Sequence, residues 1–483
     1  MKKNPNNLIK EYFIAFKDRK DELKIINDCL TSNKFEFMLT YGRRRVGKTE
    51  LHLYATQNTK TIYYLSRKSQ NVEKFKEQCV KIVPEAEMIV ADYESLFKFL
   101  KDKVDVIIID EFPEMIQEDK NLLNIFQYVV DIILRDSKLK LFLLGSSTSI
   151  MKHDVLSTPS PLYGRKTIAL NLKPFPFYVL KDFFLETSLE EIIEIYGCSG
   201  GIPYYLNQIT VPFWDWLKTE LKEQRFIRDE AHFLLQYEFF SSGRYYAILE
   251  AIARGKNQLN EIAQFSNIPI TSIPQYFNNL EEADFIRREI PITERTTSKR
   301  GQHLLIDNFL RFYFRFIYPN LESLDQKIMD VTDIREQYSE YMGKIFEDVV
   351  LQFIINFRNH LDVIEEFKKG LDPDFLSFTK IGRWWWKDTE IDLVAFNPNT
   401  DKAILIECKW QEKVNGISIA TKLLGKEPKI QYQGPNKKKK NLIMIFAKSF
   451  ETDAKKIEKI GDTYVYFIDL NDMDRIITKS HLS

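Results

Sequence analysis

The run Gly42-Arg43-Arg44-Arg45-Val46-Gly47-Lys48-Thr49 constrains this chain more than any other feature. It follows the apolar run Phe35–Tyr41 and precedes a helical stretch opening Glu50-Leu51, so its spacing, Gly-x4-Gly-Lys-Thr, falls at a strand-to-helix turn. Glycines at both ends let backbone N–H groups turn inward around an anion, and that geometry suits phosphate. Lys48 then reaches the β- and γ-phosphates of a nucleoside triphosphate. The Thr49 hydroxyl ligates Mg²⁺ at the helix N-terminus.

Between residues 35 and 150 short apolar runs alternate with amphipathic stretches, the rhythm of βαβ units. The predicted strands are Phe35–Tyr41, Thr61–Leu65, Met88–Val90, Val104–Asp110 and Lys140–Leu144. Runs such as Val-Ile-Ile-Ile do not alternate with polar residues, which predicts a parallel sheet covered on both faces. Val104–Asp110 ends in Asp110-Glu111, a Walker B pattern. Asp110 is expected to hold Mg²⁺, and Glu111 to orient or deprotonate the attacking water. Ser146 follows the next strand, where its hydroxyl touches the γ-phosphate or the water, or simply serves the turn.

At 483 residues the chain has room for about three domains. Lys+Arg and Asp+Glu are equal at 69 each, so any nucleic-acid contact must come from local basic patches. Four cysteines, Cys29, Cys79, Cys198 and Cys408, stand far apart, which argues against a zinc site or a disulfide framework and fits a reducing cytoplasm. No apolar run reaches the roughly 18 residues of a membrane span, and the N-terminal stretch is too interrupted for a signal peptide. The expectation is a cytoplasmic chain without a membrane partner.

Further pieces occur in order: Phe16-Lys-Asp-Arg19-Lys-Asp-Glu22-Leu23, the arginines inside the phosphate loop, Leu-Tyr163-Gly164-Arg165, and Gly200-Gly201-Ile-Pro203-Tyr204. With them, residues 10 to 320 resemble the archaeal-type P-loop ATPases of the STAND group, relatives of the AAA+ ATPases. The resemblance implies ATP and ADP as ligands, a slow nucleotide-controlled switch, and an oligomer as one possible assembly. It implies that Phe16–Arg19 and Pro203 lie near the adenine. Arg165 is a γ-phosphate sensor or arginine finger, or else a structural ion pair.

From about residue 236 the apolar spacing predicts three short helices, in Tyr245–Ala253, Leu259–Phe265 and Thr271–Ala283. Phe285–Arg288 and Leu304–Ile306 then form a β-wing with Arg295, Lys299 and Arg300 at its tip, where cations meet DNA phosphates. Glu281, Glu282 and Asp284 close the presumed recognition helix and Pro274 interrupts its start. A packing module is therefore the alternative to a DNA reader.

Glu390–Phe396 and Ala403–Trp410 flank a turn at Asn397–Asp401 and predict a hairpin. Symmetry about the turn sets Asp392 opposite Glu407 and Glu390 opposite Lys409, with Val394, Phe396, Ala403 and Leu405 on the same face. Ile391, Leu393, Ile406 and Cys408 fill the other. Two opposed carboxylates repel unless a cation lies between them, which points to a hard divalent metal.

The constellation resembles the PD-(D/E)xK nuclease superfamily. That resemblance implies that Asp392, Glu407 and the Cys408 carbonyl hold Mg²⁺ or Mn²⁺, that Lys409 positions the attacking water, and that Glu347 is the helix glutamate. Glu347 borders an apolar helix face of Phe346, Val349, Val350 and Phe353, from which Asp348 points away. Ile391 departs from the superfamily, which often has Pro there, and no downstream Gln/Lys helix motif is found. Trp384–Trp386 stack bases or pack on the sheet.

The expected architecture is α/β. Residues 1–168 form a P-loop ATPase core on a parallel sheet, 169–235 a helical lid, 236–308 a winged helix, 309–340 a helical linker, and 341–483 a restriction-endonuclease-like, PD-(D/E)xK domain. The expected function is an ATP-binding and hydrolysing switch that controls a metal-dependent nuclease acting on DNA. The alternative is a nucleotide-dependent DNA-binding or scaffold ATPase whose nuclease-like domain is inactive.

Overall fold

Alternate residues of the central strands fill two separate cores, one on each face of a sheet. In β3 (Val106–Asp110) Ile107 and Ile109 join one core while Val106 and Ile108 join the other. In β4 (Lys140–Gly145) Leu141 and Leu143 divide in the same way from Phe142 and Leu144. Each such burial contributes roughly 1.5–3 kcal/mol, so none of these apolar positions tolerates a polar side chain cheaply. The computed structural model describes residues 18–223, 226–239, 243–432, 437–451 and 455–480.

The chain divides into two units. The first holds the residues up to Pro174, with Ile202–Tyr204 and Asn278–Asp284. Its sheet has five parallel strands in the order β2-β3-β4-β1-β5, where β1 is Glu36–Tyr41, β2 is Thr61–Leu65 and β5 is Ile168–Asn171. Two helices matter for the site: α1 (Lys20–Thr31) and α2 (Lys48–Ala55).

The expected strand Met88–Val90 is not one. Pro84 suits the first turn of a helix, Pro84–Met88 winds into a 3₁₀ turn, and Met88 and Val90 are exposed. The fifth strand is instead β5, which gives little apolar signal because it is a half-exposed edge.

In the second unit α3 (Gly243–Ala253) and α4 (Leu259–Ser266) are followed by α5 (Ile273–Glu282), whose residues from Asn278 on belong to the first unit, and by the antiparallel hairpin of β6 (Ile286–Glu289) and β7 (Gln302–Leu305). The 27-residue helix α6 (Val331–Phe357) starts under an Asp330–Asp333 capping box and runs unbroken across residue 341, where the last domain was expected to begin.

A six-stranded mixed sheet completes the unit. It comprises β8 (Lys380–Trp386), β9 (Thr389–Phe396), β10 (Lys402–Lys409), β11 (Lys440–Ala447), β12 (Ile457–Ile460) and β13 (Thr463–Asp469), in the order β12-β13-β11-β10-β9-β8. On one face α7 (Gly416–Lys426) contributes Ala420 and Leu423 to a core with Val394, Leu405 and Ile445. On the other, α6 sets Phe353 against Phe446 and Phe346 against Trp410.

The β9–β10 register is the expected one, with Ala403 opposite Phe396 and Ile406 opposite Leu393. The ladder stops there, one pair short of Asp392 and Glu407. Ile391 joins the same core as Val394 and Leu405, although strict alternation assigns it to the opposite face.

Candidate functional site

The phosphate loop connects β1 to α2, and its backbone explains its glycines. Gly42 has φ 150°, and a Cβ there would lie 2.3 Å from the Leu172 carbonyl oxygen. Gly47, at φ 93°, caps α2 in the left-handed region. Val46 is buried in the core, Glu50 is exposed in the first turn of α2, and Arg43 is buried while Arg44 and Arg45 are partly so. Lys48 is buried and spans the loop, donating to the carbonyls of Gly42 at 2.9 Å and Arg43 at 3.1 Å.

Thr49 and Asp110 are brought into contact. Thr49 Oγ1 donates to Asp110 Oδ2 at 2.5 Å, and Tyr63 from β2 donates to the same oxygen at 3.0 Å. Burial and then the neighbouring Glu111 hold the Asp110 carboxyl above its ordinary range, while Thr49, Lys48 and Tyr63 oppose the shift. A hard cation would lower that energy, and the two touching oxygens are donors of the kind Mg²⁺ takes, so this pair fits the ion. Tyr63 went unnoticed in the sequence because nothing there shows that β2 lies beside β3.

Ser146 serves Glu111. Its amide donates to Glu111 Oε2 at 3.1 Å and its hydroxyl to Oε1 at 2.6 Å. Arg19 donates to the Val46 carbonyl at 3.2 Å and to Glu22 at 3.1 Å, bracing the back of the loop. Pro203 lies against Gly47, with its Cγ 3.8 Å from where a Cβ would stand, and Arg45 lies 3.9 Å over the Tyr204 ring. Arg165 takes the form of the structural ion pair, donating through Nε to both Asp131 oxygens at 2.8–2.9 Å and through Nη1 to the Pro161 carbonyl. Phe16 lies outside the described residues.

A second constellation forms where α6, β9 and β10 meet. Glu347 is buried; it accepts from Arg383 Nε at 2.9 Å and pairs with Lys344 at 2.9 Å. Asp392 Oδ2 accepts from the Cys408 amide at 2.7 Å. Lys409 Nζ lies 2.8 Å from Glu407 and 4.0 Å from Asp392, and Lys426 of α7 reaches Glu407 at 3.5 Å. Burial, then the Glu347 and Glu407 carboxylates, push the Asp392 carboxyl up to about 7. Among the described residues no three His, Cys, Asp or Glu side chains are grouped to hold a metal. Asp392 and Glu407 are carboxylates of the kind a hard cation takes, and Lys409 Nζ stands within 4.0 Å of both.

The neighbours of this site are held by partners that the sequence does not show. Asp348 does point off the apolar face, yet it meets protein: burial works to raise its carboxyl, and Arg383, Arg311 and Arg287 overcome that and hold it well below the usual range. Glu390 is exposed, 3.9 Å from Lys344, while Lys409 turns to Glu407. Trp384 is buried as packing, Trp385 Nε1 donates to the Arg300 carbonyl at 3.2 Å, and Trp386 lies under the Arg300 guanidinium at 3.3 Å. Arg300 also pairs with Glu294, leaving Arg295 and Lys299 as the exposed cations of the hairpin tip.

Residues 16–209 match the family described as an ATPase domain predominantly from Archaea, and residues 313–419 match one described as archaeal and bacterial proteins of unknown function. Over 398 residues the chain is 46% identical to the "Uncharacterized protein MJECL04" of Methanocaldococcus jannaschii, covering 82% of this chain and 88% of that protein. The chain belongs to that protein's family and carries an archaeal-type P-loop ATPase domain.

Among solved structures, a Walker-type ATPase of Pyrococcus abyssi is 21% identical, covering 62% of this chain and 96% of that one at a TM-score of 0.48. The ORC2 protein of Aeropyrum pernix is 13% identical, covering 67% and 98% at 0.42. In this archaeal-type ATPase the first matched segment contains Lys48, Thr49, Asp110, Glu111, Ser146 and Pro203, and the second contains Glu347, Asp392, Glu407 and Lys409. Among the described residues no helix is long and apolar enough to cross a membrane.

Proposed function

We propose that this ATPase is a nucleotide-controlled switch in which ATP binding and hydrolysis govern a metal-dependent nuclease domain acting on DNA. At the first site Lys48 exchanges its two carbonyl partners for the β- and γ-phosphates. Thr49 and Asp110 would hold Mg²⁺, which would supply charge neutralisation there. Glu111, fixed by Ser146, orients the water and accepts its proton. Arg19 and Pro203 line the adenine end.

One observation carries the nuclease reading: Glu347, Asp392, Glu407 and Lys409, scattered over 63 positions of sequence, converge where α6 meets the β9–β10 hairpin. Asp392, Glu407 and the Cys408 carbonyl would hold Mg²⁺ or Mn²⁺, which supplies a polarised phosphate and an acidified water. Lys409, beside both carboxylates, would position that water. The helices α3 to α5 with the β6–β7 hairpin read as a winged helix, whose contacts to β8 support the packing role and whose Arg295 and Lys299 remain for DNA. Four buried free thiols are in keeping with a cytoplasmic protein.

A second reading, a nucleotide-dependent scaffold with an inactive nuclease-like domain, draws on the same ion pairs: with Lys409 beside both acids, the cluster is already compensated. Cleavage of labelled DNA in Mg²⁺ or Mn²⁺ decides between them. Cutting by wild type that is lost in Asp392→Ala supports the nuclease; equal traces for the two chains support the scaffold.

A further inference from the structure

Asp392 and Glu347 line a half-open cavity of about 340 Å³. That is the size class of a small-molecule site, far too small for a duplex. Its walls carry what one unstacked nucleotide needs. Arg254, Arg315 and Lys344 line the cavity, paired with Glu250, Glu340 and Glu347 in carboxylate contacts that a phosphate would replace, and the partly exposed Trp385 offers a ring for a base.

One wall is the β6–β7 hairpin, and it is fastened to the sheet edge in four ways. The Ile292 amide donates to the Arg383 carbonyl at 2.9 Å, continuing the sheet beyond β8. Arg383 donates to Glu289 at 3.1 Å while also holding Glu347 and Asp348. Trp385 donates to the Arg300 carbonyl, and Arg300 stacks on Trp386. Because Arg383 serves the hairpin and Glu347 at once, lifting this wall would also disturb the helix glutamate.

We propose that this site admits a single unstacked nucleotide, from a single strand or a frayed end, and excludes the interior of a duplex. The inference rests on the nuclease reading above. It adds that the hairpin is a standing wall of the site and that nucleic acid enters without displacing it.

The test is a reversible crosslink in the full chain. A Cβ built on Gly382 lies 3.5 Å from Ile292 Cβ, within disulfide range, so Ile292→Cys with Gly382→Cys fixes the wall under oxidation. In Mn²⁺, both oxidised and reduced forms are expected to cut a single-stranded oligonucleotide about tenfold or more faster than a relaxed, covalently closed circular duplex. Equal rates on the two substrates overturn the proposal. So does loss of single-strand cutting on oxidation with recovery on reduction, because the wall then has to lift.

If neither form cuts, anisotropy of the same labelled substrates in Ca²⁺ separates the two claims. Strand-selective binding that weakens in Arg315→Ala and in Trp385→Ala upholds the substrate class while the nuclease reading fails. Binding without strand preference overturns the substrate class as well. Should the crosslinked pair not fold, the wild-type chain on the same two substrates still decides the substrate class, and equal rates there overturn the proposal.

Discussion

Ser146 grips Glu111 with both of its donors, the amide on one carboxylate oxygen and the hydroxyl on the other. A carboxylate held this way has one orientation toward the phosphate loop. Ser146→Ala keeps the amide bond and loses the hydroxyl, so kcat for ATP hydrolysis should fall about tenfold with KM nearly unchanged. Glu111→Gln should lose about 100-fold or more in kcat and still bind ATP. Steady-state hydrolysis alongside nucleotide titration measures both, and a Ser146→Ala enzyme altered only in KM would contradict the positioning role.

Lys48→Ala removes the buried ammonium that now bridges the Gly42 and Arg43 carbonyls. ATP binding should weaken and hydrolysis should vanish. Hydrolysis persisting unchanged in both Lys48→Ala and Glu111→Gln would exclude this loop as the active site.

Arg383 compensates Glu347, Asp348 and Glu289 together. Removing it strands buried carboxylates, so Arg383→Ala should cost roughly 3–5 kcal/mol in unfolding free energy. Adding Asp348→Asn should restore part of that, because one of the abandoned charges is then gone. Denaturant melts of the single and double variants form the cycle, and strict additivity would show that the two residues do not interact.

Glu194 gives a pH dependence. Burial, then Glu190, push its carboxyl up to about 7, against a hydrogen bond from Trp214 Nε1 at 3.1 Å. The folded chain thus keeps this proton to higher pH than the unfolded chain does. The stabilisation is complete below about pH 4.5 and is lost as pH rises toward 7, by at most ~3 kcal/mol. Glu194→Gln should therefore stabilise the protein at pH 8 and change little at pH 4.5. Thermal melts across that range check it, and equal Tm shifts at both ends would refute the assignment.

Much of this was legible in the chain. The phosphate loop is read from eight consecutive residues, and the β9–β10 register follows from a five-residue turn, because both are local. Tyr63 on Asp110 and Arg383 on Glu347 were invisible because strand order and helix docking decide them over 47 and 36 positions. Met88–Val90 was misread because three residues of suitable composition do not outweigh a proline that starts a helical turn. Asp348 points off the apolar face of α6 as the helical wheel shows, but the wheel does not show that this polar side meets Arg383 and Arg311.

The 2.3 Å gap that a methyl group at position 42 would find before the Leu172 oxygen has a mechanical meaning. The cradle has no slack on that side, and the Leu172 amide is itself tied to the Tyr41 carbonyl at 2.8 Å. Any larger residue at position 42 would therefore have to push the edge strand aside before the loop could keep its shape.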